Sequence, residues 1–153
     1  AADDFVPAMQ GCIVESGIEP GQLEVEITEN VLIESLEEGT QKLYSLSSLG
    51  VHLSLDDFGT GYSSLTYLRN LPVGTLKIDK SFIDKILDDR VQEGFVRAII
   101  DMAHVLGLNV GAEGVETELQ ERKLSEFACD CMQGYVFSKP VSQDEAIRIA
   151  LQS

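Results

Sequence analysis

The sequence predicts an α/β protein folded as an incomplete, TIM-barrel-like (β/α)-barrel, with about five strands alternating with helices along 153 residues. Two observations predict this fold. Five short segments with a period of two residues alternate with segments of helical period, which is typical of parallel strands joined by helices. In addition, one face of each predicted strand is largely polar while the other is apolar, so helices are expected on only one side of the sheet.

The predicted strands are short and alternate polar with apolar side chains. The second strand, residues 52–57, reads HLSLDD and shows the alternation clearly. A polar inner face with helices outside is typical of a β/α barrel, in which the chemistry lies at the carboxyl ends of the strands. The predicted strands cover residues 23–28, 52–57, 75–79, 109–113 and 129–133.

The predicted helices are delimited by capping signals. Gly17 and Gly50 follow two of them at the position that tolerates a left-handed backbone. Thr117 and Ser142 each begin a capping box, in which a Gln or Glu follows three residues later. The predicted helices contain Val6 to Ile13, Leu36 to Leu46, Leu65 to Arg69, about Val91 to Leu106, Thr117 to about Phe127, and the segment after Ser142.

Composition and charge exclude several classes of protein. The chain has 11 Lys and Arg residues against 26 Asp and Glu residues, a formal charge of −15, so no binding to duplex nucleic acid is expected. No apolar run approaches the roughly 18 residues of a membrane helix, and no secretory signal is visible. Cys12, Cys129 and Cys131 are an odd number without metal-type spacing, which favours reduced thiols and a cytoplasmic location. A membrane tether elsewhere in the parent protein stays open.

Acidic residues gather at the predicted carboxyl ends of the strands. Carboxylates at one rim repel each other unless a cation neutralises them, and the single Lys77 is insufficient. Mg²⁺ or Mn²⁺ with oxygen ligands supplies that charge. Asp56 and Asp57 point to opposite sides of their strand end, which permits two ions sharing a carboxylate, as suits phosphoester hydrolysis. The strand ends carry Glu26, Asp56, Asp57, Lys77, Asp79, Glu113 and Gln133.

Five motifs, in order at these strand ends, resemble the EAL domain of bacterial cyclic di-GMP phosphodiesterases. They read LEVEITE at 23–29, DDFGTGYSSL at 56–65, KID at 77–79, AEGVET at 112–117 and QGYVFSKP at 133–140. The resemblance covers essentially the whole chain. It implies a metal-dependent barrel that opens cyclic di-GMP to the linear dinucleotide pGpG with two Mg²⁺ or Mn²⁺ ions.

The resemblance also implies a role for each matched residue. Lys77 resembles the residue placed at the catalytic water, and Glu113 is expected to act in catalysis as well as in metal binding. A homodimer is implied, with the loop at 58–65 coupling dimerisation to metal binding and Glu29 holding that loop. The implied metal ligands are Glu26, Asp56, Asp57 and Glu113, with Asp56 as the bridge; the implied substrate contacts are Gln133, Asp79 and Glu116; the implied loop residues are Glu29, Phe58, Gly59, Ser63 and Ser64.

The chain departs from the family pattern at its beginning. The namesake Glu-Ala-Leu motif and a later metal-binding Asn have no counterpart here, and a complete barrel has about 250 residues. We therefore expect residues 1–153 to be the C-terminal portion of a single EAL-type domain that lacks its first strands. On its own, this portion is expected to be crippled as an enzyme.

Simpler roles compete with these assignments. Taken alone, Asp56 and Asp57 could cap a helix or loop, Lys77 could form a structural ion pair, and Glu116 could stabilise a helix N-terminus. Glu24 is expected to have a structural, hydrogen-bonded role. For the parent protein, a receptor that binds cyclic di-GMP without cleaving it and a dimerisation module are alternatives to an enzyme. Retention of all the implied acids and of Lys77 favours the enzyme.

Overall fold

The computed structural model describes residues 4–34, 36–59, 65–137 and 142–152, and its centre is one parallel five-stranded sheet. The strands pair in their order along the chain, and helices connect them, so the predicted α/β fold is confirmed. Within the described part of the chain, the first and last strands form the edges of the sheet. The strands are β1 (Glu24–Thr28), β2 (His52–Phe58), β3 (Thr75–Ile78), β4 (Asn109–Glu113) and β5 (Cys131–Gln133).

Helices pack against the sheet between the strands, and a short 3-10 turn, Pro20–Gln22, precedes β1. The capping box from Thr117 to Gln120 is present, as predicted. Two short helices were not predicted, α2 and α5, because segments of four to six residues are too short to show helical periodicity. The helices are α1 (Phe5–Ser16), α2 (Glu29–Glu34), α3 (Leu36–Ser48), α4 (Leu65–Arg69), α5 (Lys80–Ile83), α6 (Arg90–Val105), α7 (Glu118–Glu126) and α8 (Gln143–Gln152).

The hydrophobic core lies between the apolar face of the sheet and the helices. The strand residues Leu55, Leu76 and Val110 are buried there, as the alternation predicted. Helix α6 covers this face and buries Val96 and Ile100 completely. Each fully buried aliphatic side chain contributes about 1.5–3 kcal/mol relative to an exposed one, so this layer holds the strand ends in place.

The opposite face of the sheet is polar and lines a cavity of about 410 Å³. This confirms the predicted polar inner face. Strand β5 begins two residues later than predicted, at Cys131. The side chain of Cys131 lines the cavity, whereas Cys129, which precedes the strand, packs against the core. The cavity is lined from the strands by Glu24, His52, Thr75, Lys77, Gly111, Ala112, Glu113, Cys131, Met132 and Gln133. No described helix is long and apolar enough to cross a membrane.

Candidate metal centre

Acidic side chains from four neighbouring strands meet at the carboxyl edge of the sheet. Glu26 lies near the end of β1, and Glu113 is the last residue of β4. Asp56 and Asp57 lie near the end of β2, and Asp79 follows β3 directly. Parallel strands end at the same edge of a sheet, which is why residues far apart in the sequence come together here.

The carboxylates form two groups that share one member. The first group is Glu26, Asp56 and Glu113; the second is Asp57, Asp79 and Glu113; within each group, ligand oxygens lie within 4.8 Å of one another. Hard divalent cations bind oxygen at about 2.0–2.6 Å, so three such oxygens can converge on one ion. Glu113 belongs to both groups and Asp56 to one, so the bridging role of Asp56 stays a prediction.

A β-bulge brings the adjacent Asp56 and Asp57 to the same rim. Between Leu55 and Phe58, β2 has one more residue than the paired part of β3, and Asp57 has a left-handed backbone, with φ of 56°. The backbone N–H of Asp57 donates to Asp56 Oδ1 at 2.8 Å and orients that carboxylate. Simple alternation would send the two side chains to opposite sides of the sheet. The bulge instead lets one carboxylate enter each group.

Burial and neighbouring carboxylates raise the pKa of two of these acids, Glu113 and Asp57. Burial, together with the carboxylates of Asp56 and Glu26, raises the pKa of Glu113 to about 7. Burial and the neighbouring carboxylates of Asp56 and Asp79 also raise the pKa of Asp57. An added divalent cation reverses this effect because it stabilises the ionised form of every ligand.

Lys77 lies below the rim on β3 and is almost completely buried. Its ammonium is ion-paired with Glu26 and lies 3.3 Å from Glu24 Oε1. Burial opposes the charged form, but the two carboxylates outweigh it and raise the pKa of Lys77. This ion pair agrees with the structural role expected for Glu24, which stays a prediction. Lys77 is a fixed cation beside the first acidic group.

The residues predicted as substrate contacts lie in three different settings. Gln133 is paired with Glu113 across the β4–β5 register and lines the cavity. Asp79 belongs to the second acidic group, and its side chain also caps α5 by accepting from the backbone N–H of Ser81 at 2.9 Å. The carboxylate of Glu116 lies 2.9 Å from Lys80 Nζ. The geometry therefore brings Asp79 to the acids and Gln133 to the cavity.

A close backbone approach holds Gln133 beside the acids. A Cβ on Gly134 would overlap the backbone of Val115, so only glycine fits at this position. The two segments exchange hydrogen bonds: Val115 N donates to Gln133 O at 3.0 Å, and Val136 N donates to Val115 O at 3.1 Å. The motifs that contain Glu113 and Gln133 are thus joined directly.

The described part of the predicted dimerisation loop is attached to the end of β1. Glu29 is buried at the start of α2, and its Oε2 accepts from the backbone N–H of Gly59 at 3.1 Å. Phe58 is buried in the core. Ser63 and Ser64 lie outside the described residues, so their predicted roles stay predictions.

Comparison with known proteins identifies the family. The family model described as the EAL domain matches residues 2–140. The chain belongs to the EAL domain family. It is 45% identical over 137 residues to the cyclic di-GMP phosphodiesterase NbdA of Pseudomonas aeruginosa and 44% identical over 142 residues to the signaling protein YkoW of Bacillus subtilis. The matches cover 90% and 93% of the chain but only 18% of each relative, so the chain spans about a fifth of these proteins.

Solved structures of EAL proteins share the fold. The EAL domain of Mycobacterium smegmatis DcpA matches with a TM-score of 0.91 and 39% identity over 98% of this chain and 67% of that one. The PaMucR phosphodiesterase in complex with c-di-GMP matches with a TM-score of 0.90 and 36% identity over 94% of this chain and 58% of that one. Klebsiella pneumoniae BlrP1 with manganese and cyclic di-GMP matches with a TM-score of 0.82 and 30% identity over 90% and 35% of the two chains. The TIM-barrel-like fold expected for this EAL domain is therefore confirmed.

Proposed function

We propose that the complete EAL domain of the parent protein hydrolyses cyclic di-GMP to linear pGpG with two divalent ions, Mg²⁺ or Mn²⁺, and that this portion alone is crippled as an enzyme. The observation that carries the proposal is the pair of acidic groups that share Glu113 and lie beside the buried cation Lys77. The relatives support the substrate, because NbdA is described as a cyclic di-GMP phosphodiesterase and BlrP1 as a manganese complex with the same dinucleotide.

The donor set fits the proposed ions. Every member of both groups offers carboxylate oxygen, the ligand that Mg²⁺ and Mn²⁺ prefer. One ion would be held by Glu26, Asp56 and Glu113, and the other by Asp57, Asp79 and Glu113. When bound, such a pair supplies a hydroxide-like nucleophile at neutral pH and stabilises the charge of an in-line phosphoryl displacement.

The chain's own residues orient the reactants. In the proposed reaction, the water oxygen forms a bond to phosphorus, the bond to the 3′ oxygen breaks, and a linear dinucleotide with a 5′ phosphate results. Lys77 lines the cavity and donates to Glu26, and its ammonium can there orient the attacking water or a phosphate oxygen. Glu113 belongs to both acidic groups, so its proposed catalytic role is to hold both ions at the reacting phosphate. Gln133, paired with Glu113, is placed to contact the phosphate.

Dimerisation through the segment that begins at Phe58 is part of the same proposal. The Glu29–Gly59 hydrogen bond connects this segment to the end of β1, close in sequence to Glu26. A change in the loop at a subunit interface would therefore reach a metal ligand through three residues of chain.

A Lys77 variant tests the enzymatic proposal against the receptor alternative. In the complete EAL domain of the parent protein, we expect Lys77→Ala to reduce turnover of cyclic di-GMP by more than about 100-fold, because the group that orients the water is lost. Binding, measured by equilibrium dialysis with radiolabelled cyclic di-GMP, should weaken far less. Lys85→Ala is the matched control, since Lys85 is exposed and has no ion pair within the described residues. Binding without turnover by the unmodified complete domain with Mg²⁺ or Mn²⁺ would establish the receptor alternative.

A further inference from the structure

Two residues of the second acidic group depend on a contact between their chain neighbours. Asp79 is followed by Lys80, the first residue of α5, and Glu113 is followed by Gly114. The backbone pairing of β3 with β4 ends at Ile78 and Ala112, one residue before the two acids. Beyond that point, no β3–β4 backbone pairing joins Asp79 to Glu113 among the described residues, although Glu113 stays paired with Gln133 of β5.

The aliphatic stem of Lys80 lies directly on the backbone of Gly114. A Cβ at Gly114 would lie 2.7 Å from Lys80 Cδ and 2.8 Å from Lys80 Cβ, which is closer than real side chains pack. Gly114 also has a φ of 72°, a left-handed conformation that favours glycine. Any larger residue at this position would push Lys80 away and move the end of β4.

The ammonium of Lys80 makes a second connection between the same segments. Lys80 Nζ lies 2.9 Å from Glu116 Oε1 and 2.6 Å from Asp84 Oδ1. Glu116 belongs to the loop after β4, and Asp84 ends α5, so one side chain joins the loop to the helix. A more distant link is the amide of Gln120, which donates to Ile83 O at 3.3 Å.

We propose that Lys80 is a positioning residue that clamps the loop after β4 onto α5 and so sets the separation of Asp79 and Glu113 in the second acidic group. This inference rests on the proposed metal site. The first group shares Glu113, but it should depend on Lys80 less, because its other members, Glu26 and Asp56, belong to β1 and β2, whose pairing extends to Thr28 and Asp56. The clamp therefore acts more strongly on the second ion than on the first.

Titration with Mn²⁺, followed by electron paramagnetic resonance of the free ion, tests the clamp. We expect Lys80→Ala to weaken one of the two Mn²⁺ sites by about 10-fold, as is typical when a residue supporting a ligand is removed, and to weaken the other site less. Lys80→Arg should restore most of the affinity, because it keeps both the stem and the charge. Lys80→Met keeps the stem alone and should fall between them. The control, Lys85→Ala, should bind both ions as the unmodified protein does.

Hydrogen–deuterium exchange without metal gives a second readout. Residues 113–117 should exchange several-fold faster in Lys80→Ala than in the unmodified protein or in Lys85→Ala. Equal Mn²⁺ affinities for Lys80→Ala and the unmodified protein would overturn the clamp, even if hydrolysis is observed. If the unmodified protein binds no Mn²⁺, the proposed metal site is wrong, and with it the proposed effect of Lys80 on metal binding. Unchanged exchange at 113–117 would show in addition that Lys80 does not hold the loop.

Discussion

Acidic residues at the two ends of the sheet have opposite electrostatic surroundings. At the amino end, Asp130 Oδ2 lies 2.7 Å from His104 Nε2 and accepts from the backbone N–H of Val110 at 2.7 Å. Burial is outweighed there by these two partners, so the pKa of Asp130 is lowered. At the carboxyl rim, burial and neighbouring carboxylates raise the pKa of Glu113 to about 7.

The difference separates an acid that stabilises the fold from an acid that we propose binds metal. Asp130 brings its own partners, and its ionised form favours the folded state. Glu113 meets mainly other acids, so its ionised form disfavours the folded state until an external cation arrives. Sites of this kind reduce stability in exchange for binding, whereas the opposite end of a barrel serves stability.

The largest expected effect is at the shared acid. Glu113→Gln should reduce cyclic di-GMP turnover by more than about 100-fold, because the loss of a direct ligand should exceed the 10–100-fold cost of losing a residue that only supports one. The same variant should raise the melting temperature of the metal-free protein at pH 8, since one of several mutually repelling charges is removed. Asp130→Asn is the control and should lower the melting temperature without this loss of turnover. A metal-free Glu113→Gln variant that melts earlier at pH 8 would contradict the contrast between the two ends.

The second effect is the pH dependence of metal binding and of stability. Because the pKa of Glu113 is raised from 4.5 to about 7, the folded metal-free protein binds more protons than the unfolded chain between these pH values. Its stability should therefore fall as pH rises through this window, and Glu113→Gln should flatten that fall. Mn²⁺ affinity should increase by up to about 10-fold per pH unit below 7, since the ion displaces the proton. Calorimetric titration between pH 5 and 8 measures the pH dependence of Mn²⁺ affinity, and thermal melts over the same range measure that of stability. An equal fall in stability for Glu113→Gln and the unmodified protein would contradict the raised pKa of Glu113.

A third effect separates the backbone role of Asp57 from its role as a ligand. Asp57→Ala should lower the free energy of unfolding by about 1–2 kcal/mol relative to Asp57→Asn, because Asn tolerates the left-handed backbone and Ala does not. Both variants should weaken Mn²⁺ binding, since both remove one carboxylate of the second group. Urea denaturation of the two variants checks the first expectation. Equal stabilities would show that the left-handed turn is not needed to present this carboxylate.

The smallest expected effect is at the amino end. Asp130→Asn should lower the free energy of unfolding at pH 7 by about 1 kcal/mol, because the partly exposed pair with His104 is weakened. Since the pKa of Asp130 is lowered, this contribution is present above its ordinary value of 3.8 and is lost as pH falls through the folded value. Asp101→Asn, an exposed site on α6, should have no such effect. Mn²⁺ affinity should be unchanged in both variants.

Much of the site was predictable because strand periodicity places side chains without knowledge of the fold. The acids Glu26, Asp56 and Glu113 were assigned to strand ends from alternation, and the structure brings all three together. Asp79 was predicted as a substrate contact, and this role stays a prediction; its carboxylate lies with those of Asp57 and Glu113 in the second group. Lys80 was missed. The available signal was its place directly after Asp79, but its contact with Gly114 spans more than thirty residues and has no local signature.

By itself, the sequence determined the order of strands and helices, the polar inner face and the family, because these depend on short-range periodicity and on motifs at fixed spacing. Only the tertiary structure decided how the acids divide into two groups that share Glu113. The bulge in β2 and the left-handed Asp57 bring one carboxylate to each group, and the proposed clamp of Lys80 on Gly114 sets the separation of Asp79 and Glu113. Each of these features arises when neighbouring elements pack together, and the physical reason is that a side chain's direction at a strand end depends on partners distant in the chain.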